Sequence, residues 1–197
     1  DDGYIGRYSG STGEATVAGS GSQWTNSDNL FIGGNSSGAG GSGTLNLNDS
    51  GLVTVSNITK LWSTGTLLLD GGSLTTGSFD NSEAGTLDFR DGTLTVNGPG
   101  GSFDPGPGDF EINGYSPTDL PELVLANTAT ATLSGKLTVG FSGFRGQLIV
   151  KAGSVVSNRS GYLGLDVFSA GDVTVTGTGS QWNNSEQLLW AILAPAR

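Results

Sequence analysis

Residues 161–189 repeat residues 3–31 without an insertion, 158 positions further along. Gly3-Tyr4-Ile5-Gly6 returns as Gly161-Tyr162-Leu163-Gly164. Gly19-Ser20-Gly21-Ser22-Gln23-Trp24-Thr25-Asn26-Ser27 returns as Gly177-Thr178-Gly179-Ser180-Gln181-Trp182-Asn183-Asn184-Ser185. A chain that repeats itself in this way stacks one structural unit on another, because a single unit cannot bury its own apolar face. A shorter period lies inside the long one. Gly43-Thr44-Leu45, Gly65-Thr66-Leu67 and Gly85-Thr86-Leu87 open successive segments spaced by about 20 to 22 residues, and Gly146-Gln147-Leu148 opens a later one. Each segment alternates Leu, Val or Ile with Thr, Ser or Asn, which is the period of a half-buried strand. Short strands at this spacing, separated by Gly turns, predict an all-β parallel β-helix (solenoid) of roughly eight coils. Right-handed winding is expected from the rule for parallel crossovers. A β-sandwich would show the same short strands, but the repeat is too regular and Asn-Gly-type hairpin turns between equal strands are scarce.

Residues 1–197 are expected to form one solenoid domain with two interruptions. Residues 97–121 hold five of the six prolines, Pro99, Pro105, Pro107, Pro117 and Pro121. Proline cannot donate to a ladder, so this stretch is predicted to leave the stack as a projecting Pro/Gly-rich loop. Residues 190–197 (Trp190-Ala191-Ile192-Leu193-Ala194-Pro195-Ala196-Arg197) break with the first copy and read as an atypical tail, an abrupt ending of the array. The chain starts at Asp1 without a signal peptide, as a mature form or excised fragment does.

Composition narrows the chemistry. The 35 glycines among 197 residues show no Gly-X-Y period, which excludes collagen. There is no cysteine and no histidine, so disulfides, thiolate zinc sites, Cys nucleophiles, the Ser-His-Asp triad and His-ligated metals are all excluded. The formal net charge of −10, with 8 Lys and Arg, argues against nucleic acid and against anionic membrane surfaces as partners. No apolar run approaches the ~20 residues of a spanning helix, so membrane insertion is not expected.

The segments around Trp24 and Trp182, from Ala15 to Ser27 and from Val173 to Ser185, resemble the repeat shared by bacterial autotransporter passengers and PEP-CTERM-associated surface proteins. The Gly-Thr-Leu-x-Leu segments between them look like the same class. The resemblance implies an exported, extracellular or cell-surface bacterial β-helix and no particular activity. On that basis the expected function is a structural or adhesive module that binds glycans or other surface polymers. End-to-end self-association through open strand edges is a further expectation.

Carboxylates are the remaining candidates for catalysis. Asp88 and Asp91 flank one turn with Arg90 between them, Asp80 and Glu83 lie one coil edge earlier, and Asp104 sits in the Pro-rich segment. A hydrolase or lyase acting on polysaccharide, or on a small ester-like substrate, would need two such groups at a fixed separation. Asp49, Asp70 and Asp91 recur every 21 residues and on an even solenoid would form a vertical row. Capping of turns by their side chains is the simpler reading, and a calcium row is the sharper one. The Pro-rich segment gathers Phe103, Asp109, Phe110, Glu111, Tyr115 and Asp119, a mix of rings and acids suited to sugar or peptide binding. Trp24 and Trp182 are expected to cap the core at coil corners.

Overall fold

The computed structural model describes residues 1–190, so the tail beyond Trp190 lies outside the described residues. Among them there is no helix, and the strands stack in parallel into a β-solenoid of about eight turns. Each coil has three sides. The first side runs through Gln23–Asn26, the first halves of Leu52–Leu61 and Ser73–Asp80, Thr93–Val96, Glu122–Leu125, Arg145–Lys151 and Ala170–Thr176. The second side starts at Gly3–Ile5 and Leu30–Ile32. It continues through the second halves of the two long strands, then Ser102–Asp104, Thr130–Thr132, Val155–Asn158 and Gln181–Asn184. The third side is built of two separate stacks. One is Thr12–Ala18, Ser42–Asn48, Gly65–Asp70 and Thr86–Phe89; the other is Phe110–Ile112, Lys136–Val139, Ser160–Leu163 and Leu188–Trp190.

The alternation seen in the sequence sets the core. Leu45, Leu67 and Leu87 stand in direct register, as do Leu47, Leu69 and Phe89. On the first side Val53, Leu74, Leu94, Leu123 and Leu148 form an unbroken buried ladder. Each fully buried Leu contributes on the order of 1.5–3 kcal/mol relative to exposure, which is what lets a Gly-rich chain without disulfides hold together. Glycine earns its place where coils touch. At Gly6 (φ 70°) an added Cβ would lie 2.3 Å from the Ser42 carbonyl oxygen, so both the backbone turn and the close approach require its absence.

The Pro-rich segment does not project as expected. Ser102–Asp104 lies between Ser73–Asp80 and Thr130–Thr132 on the second side, and Phe110–Ile112 pairs with Lys136–Val139 on the third. The prolines fall in the corners, where no ladder bond is needed. One corner is fastened to the coil before it: Asn81 Nδ2 donates to the Pro105 carbonyl at 2.8 Å. The segment therefore contributes an additional strand to the stack.

That strand shifts the phase of everything after it. The two sequence copies pair alike, with Gly3 opposite Leu30 and Gly161 opposite Leu188. Yet Thr12–Ala18 lies on the third side, whereas its copy Ala170–Thr176 lies on the first. Gln23–Asn26 lies on the first side and its copy Gln181–Asn184 on the second. The second copy is turned by one side about the solenoid axis. Before the slip, short turns such as 71–72 join the third side to the first; after it, short turns such as 152–154 join the first side to the second.

Candidate functional site

The slip leaves its mark on the third side. Thr86–Phe89 pairs only with Gly65–Asp70, and Phe110–Ile112 only with Lys136–Val139, so neighbouring rungs are not bonded to each other. No coil is missing between them, because Thr93–Val96 pairs directly with Glu122–Leu125 and Phe79 with Phe103 on the adjoining sides. The third side is splayed rather than skipped. The opening is a cleft of about 530 Å3 lined by Leu87 and Phe89 on one wall and Asp109, Phe110 and Glu111 on the other, closed by Asn113 to Tyr115 and Phe144.

Bulky rings gather at this step: Phe89 and Phe110 stand in register with Leu69 and Leu137, and Phe79 and Phe103 with Thr59 and Ala131. Phe103 is 2% exposed; its ring stacks on Phe79 at 5.7 Å and meets the tilted ring of Phe110 at 5.4 Å. Phe103 is thus a core residue and not a ligand-binding one: its strand alternation points it inward. Phe110 is half-buried and lines the cleft, and Asp109 and Glu111 on either side of it face outward by the same alternation. Asp109 Oδ1 accepts the Lys136 backbone N–H at 2.8 Å, and the Lys136 ammonium lies 3.8 Å from the other oxygen. Glu111 is exposed.

Tyr115 stands at the mouth, 65% exposed, with the Arg90 guanidinium 5.2 Å from its ring centre. Arg90 is itself held by Asp88 through Nε at 3.0 Å and Nη2 at 2.6 Å. The hydrogen bond and charge of Asp88, with Asp70 nearby, push the guanidinium pKa above its ordinary value. The loop carrying Tyr115 is closed by Asp119, whose carboxylate accepts the backbone N–H groups of Ser116 at 2.8 Å and Tyr115 at 3.1 Å, and the Ser116 hydroxyl at 2.5 Å. The Ser116 hydroxyl and those two N–H groups hold the Asp119 carboxyl below the usual carboxylate range. Asp119 positions the loop, so it is not an open ligand contact.

The candidate catalytic acids do not converge. Asp88 is engaged by Arg90, Asp91 Oδ1 accepts the Leu120 N–H at 2.9 Å, and Asp104 Oδ1 accepts the Gly106 N–H at 2.9 Å on a different side of the coil. Asp80, the earlier acid, is paired with Lys60 at 2.9 Å. Partial burial raises its pKa, but the hydrogen bonds from Lys60 and Ser82 outweigh burial and leave it below the usual range. The expected row of Asp49, Asp70 and Asp91 is also broken. Leu47 pairs with Leu69 and Leu69 with Phe89, so one coil advances 22 residues (47 to 69) and the next 20 (69 to 89). An even stride of 21 falls out of step, and continuing the register brings Asp70 level with Asn48 and Arg90. Among the described residues no three carboxylates come together as a cation site. Asp49 (φ 49°) instead sits in a left-handed turn, the conformation that Asp tolerates better than most residues.

Trp24 and Trp182 both pack against the core, and Trp182 Nε1 donates to Asn158 Oδ1 at 2.6 Å. Leu87, Phe89, Asn113 and Phe144 are cleft residues that the sequence reading passed over. Their only signal was proximity in the stack, which needs the register to be known. Comparison with protein families, with curated proteins and with solved structures found no match for this chain.

Proposed function

We propose that the chain is a rigid, non-catalytic module of an exported bacterial surface protein, structural or adhesive in role, that binds glycan in the cleft on its third side. One observation carries this reading: the one splayed step among the described residues gathers two aromatic rings, Phe110 and Tyr115, with the outward carboxylates of Asp109 and Glu111 and the amide of Asn113. Rings stack on the apolar faces of sugars while carboxylates accept from their hydroxyls and the Asn113 Nδ2 donates to them, its Oδ1 being taken by the Phe141 N–H. Asp109 is half in water and already bonded to Lys136, which suits hydrogen bonding better than the sheltered, protonated acid that glycoside cleavage needs. The repeat resemblance supports export and a surface location. The cell-surface setting also supplies the polymers that such a cleft would meet.

The reading is tested by presenting the chain to a glycan array and analysing bound sugars for cleavage products. Binding without turnover is expected, lost on Tyr115→Ala and retained on Asp104→Asn. Turnover abolished by Asp109→Asn or Glu111→Gln would replace the adhesive reading with the hydrolase or lyase one.

A further inference from the structure

Beyond the cleft, one corner of the rod carries an aromatic ring in each of three successive coils. Residues 113–121, 140–144 and 164–169 all join the third side to the first. They are tied into a stack by their own bonds. Asn113 Oδ1 accepts the Phe141 N–H at 2.8 Å, Gly114 N–H donates to the Arg145 carbonyl at 2.8 Å, Gly143 N–H donates to Ser169 Oγ at 2.9 Å, and Ala170 N–H donates to the Phe144 carbonyl at 3.1 Å. The loops therefore follow one another at the rung spacing of ~4.8 Å. Tyr115 is 65% exposed, Phe144 is half-buried at the cleft, and Phe168 is 94% exposed.

Phe168 is the informative one. Its backbone is left-handed, φ 62°, a conformation that costs an L-residue stability and is ordinarily left to Gly or Asn. The first sequence copy places Gly10 at this position, with φ 78°. The second copy thus substitutes a phenyl ring where the backbone favours glycine, and holds that ring in water. Among the described residues no packing offsets this, and Phe168 lies on the last described coil, beside the end strand Ala170–Thr176. A ring kept under strain and nearly fully exposed has its use outside the described residues.

We infer that the corner is a track for an uncharged polysaccharide lying parallel to the rod axis, entering at the cleft and stacking on Tyr115, Phe144 and Phe168 in turn. The inference rests on the glycan reading of the cleft and adds the direction, length and charge of the ligand. Asp88, Asp109, Glu111 and Asp166 border the track and outnumber its cations: Arg90 is engaged by Asp88 and Lys136 by Asp109, and Arg145, exposed beside Phe144, is the third. Neutral sugars find hydroxyl acceptors there, whereas uronic or sulfated polymers meet like charge.

The test is titration calorimetry of the full chain with cello-, manno- and xylo-oligosaccharides from the disaccharide upward, beside an oligogalacturonate series. Affinity for at least one neutral series should climb with length and level off once the sugar spans three coils, with oligogalacturonates at least about tenfold weaker. Phe168→Gly should leave the Tm unchanged or raise it, leave disaccharide affinity intact, and weaken the long neutral ligand by about two- to tenfold, the share of one stacked ring. Tyr115→Ala should weaken short and long ligands together. Equal affinity for short and long sugars, preference for oligogalacturonate, or full long-chain affinity in Phe168→Gly overturns the track and leaves the cleft reading standing. A lowered Tm in Phe168→Gly overturns it too, by showing that the ring packs on the chain itself, residues 191–197 or a second copy included. No binding by any series removes the cleft reading and the track with it.

Discussion

Replacing Phe103 by Ala distinguishes a strand woven into the stack from a loop hung on it. Phe103 is 2% exposed, stacked on Phe79 at 5.7 Å and against Phe110 at 5.4 Å, with Ala131 as its partner on the next rung. Ala131 is too small to fill the vacated space, and the neighbouring strands are fixed by ladder bonds on both sides. Collapse of the cavity is therefore limited, and the cost should reach the usual range for buried Phe→Ala, about 3–5 kcal/mol. A denaturant slope of about 2–3 kcal/mol/M in urea converts this to a midpoint lowered by about 1–2.5 M. The assay is urea unfolding followed by tryptophan fluorescence and far-UV circular dichroism. Trp62 reports the coils before the slip and Trp182 those after it, so single-tryptophan variants show whether both halves lose stability together. A cost below about 1 kcal/mol would mean that the Pro-rich segment is peripheral, and would refute the description of Ser102–Asp104 as a rung of the core.

Three further outcomes follow from the same geometry. Asp91→Ala removes the acceptor of the Leu120 N–H and should cost about 1–2 kcal/mol in thermal or urea melts, while a chelator leaves the wild-type Tm where it was; a Tm lowered by chelation would restore a cation to this turn. Gly92→Ala should cost at least about 2 kcal/mol, because Gly92 has φ 90° and its new Cβ would lie 2.0 Å from the Gly72 carbonyl oxygen; a neutral result would show that the short turn can shift. Asp80, Asp119 and Glu186 all have folded pKa values below their ordinary ones. Their contribution to stability is complete above the unfolded carboxylate range of about 4 and is lost as pH falls through the lowered folded values. The Tm should therefore drop below about pH 4, less steeply in Asp119→Asn; a Tm that rises on acidification would contradict the sign.

The coil was legible because it depends on local pattern. Alternation places Leu45, Leu67 and Leu87 inward whatever surrounds them, and their shared Gly-Thr-Leu opening gives their register. The site was legible only in pieces. Phe110, Tyr115, Asp109 and Glu111 were identified as rings beside acids, but Phe103, from the same stretch, belongs to the core. The prolines signalled departure from the sheets because each one alone is incompatible with a ladder. The chain accommodates them by confining them to corners and keeping three-residue strands between. The vertical row of Asp49, Asp70 and Asp91 failed for a related reason: a mean period of 21 hides coils of 22 and 20 residues. Phe168 carried a signal that alignment of the two copies reveals, since it falls opposite Gly10, whereas Phe144 lies outside both copies and is placed only by the register.

The slipped phase also decides what the duplicated segment can display. In an unslipped rod the outward Gln23 and Thr25 and their twins Gln181 and Asn183 would line up along one edge, like teeth on a comb. Here a three-sided rod carries them on adjacent sides, a third of a turn apart. A surface that met one set would have to approach from a different compass bearing than one that met the other. The duplicated segment thus presents the same polar pair in two directions and not as one longer strip.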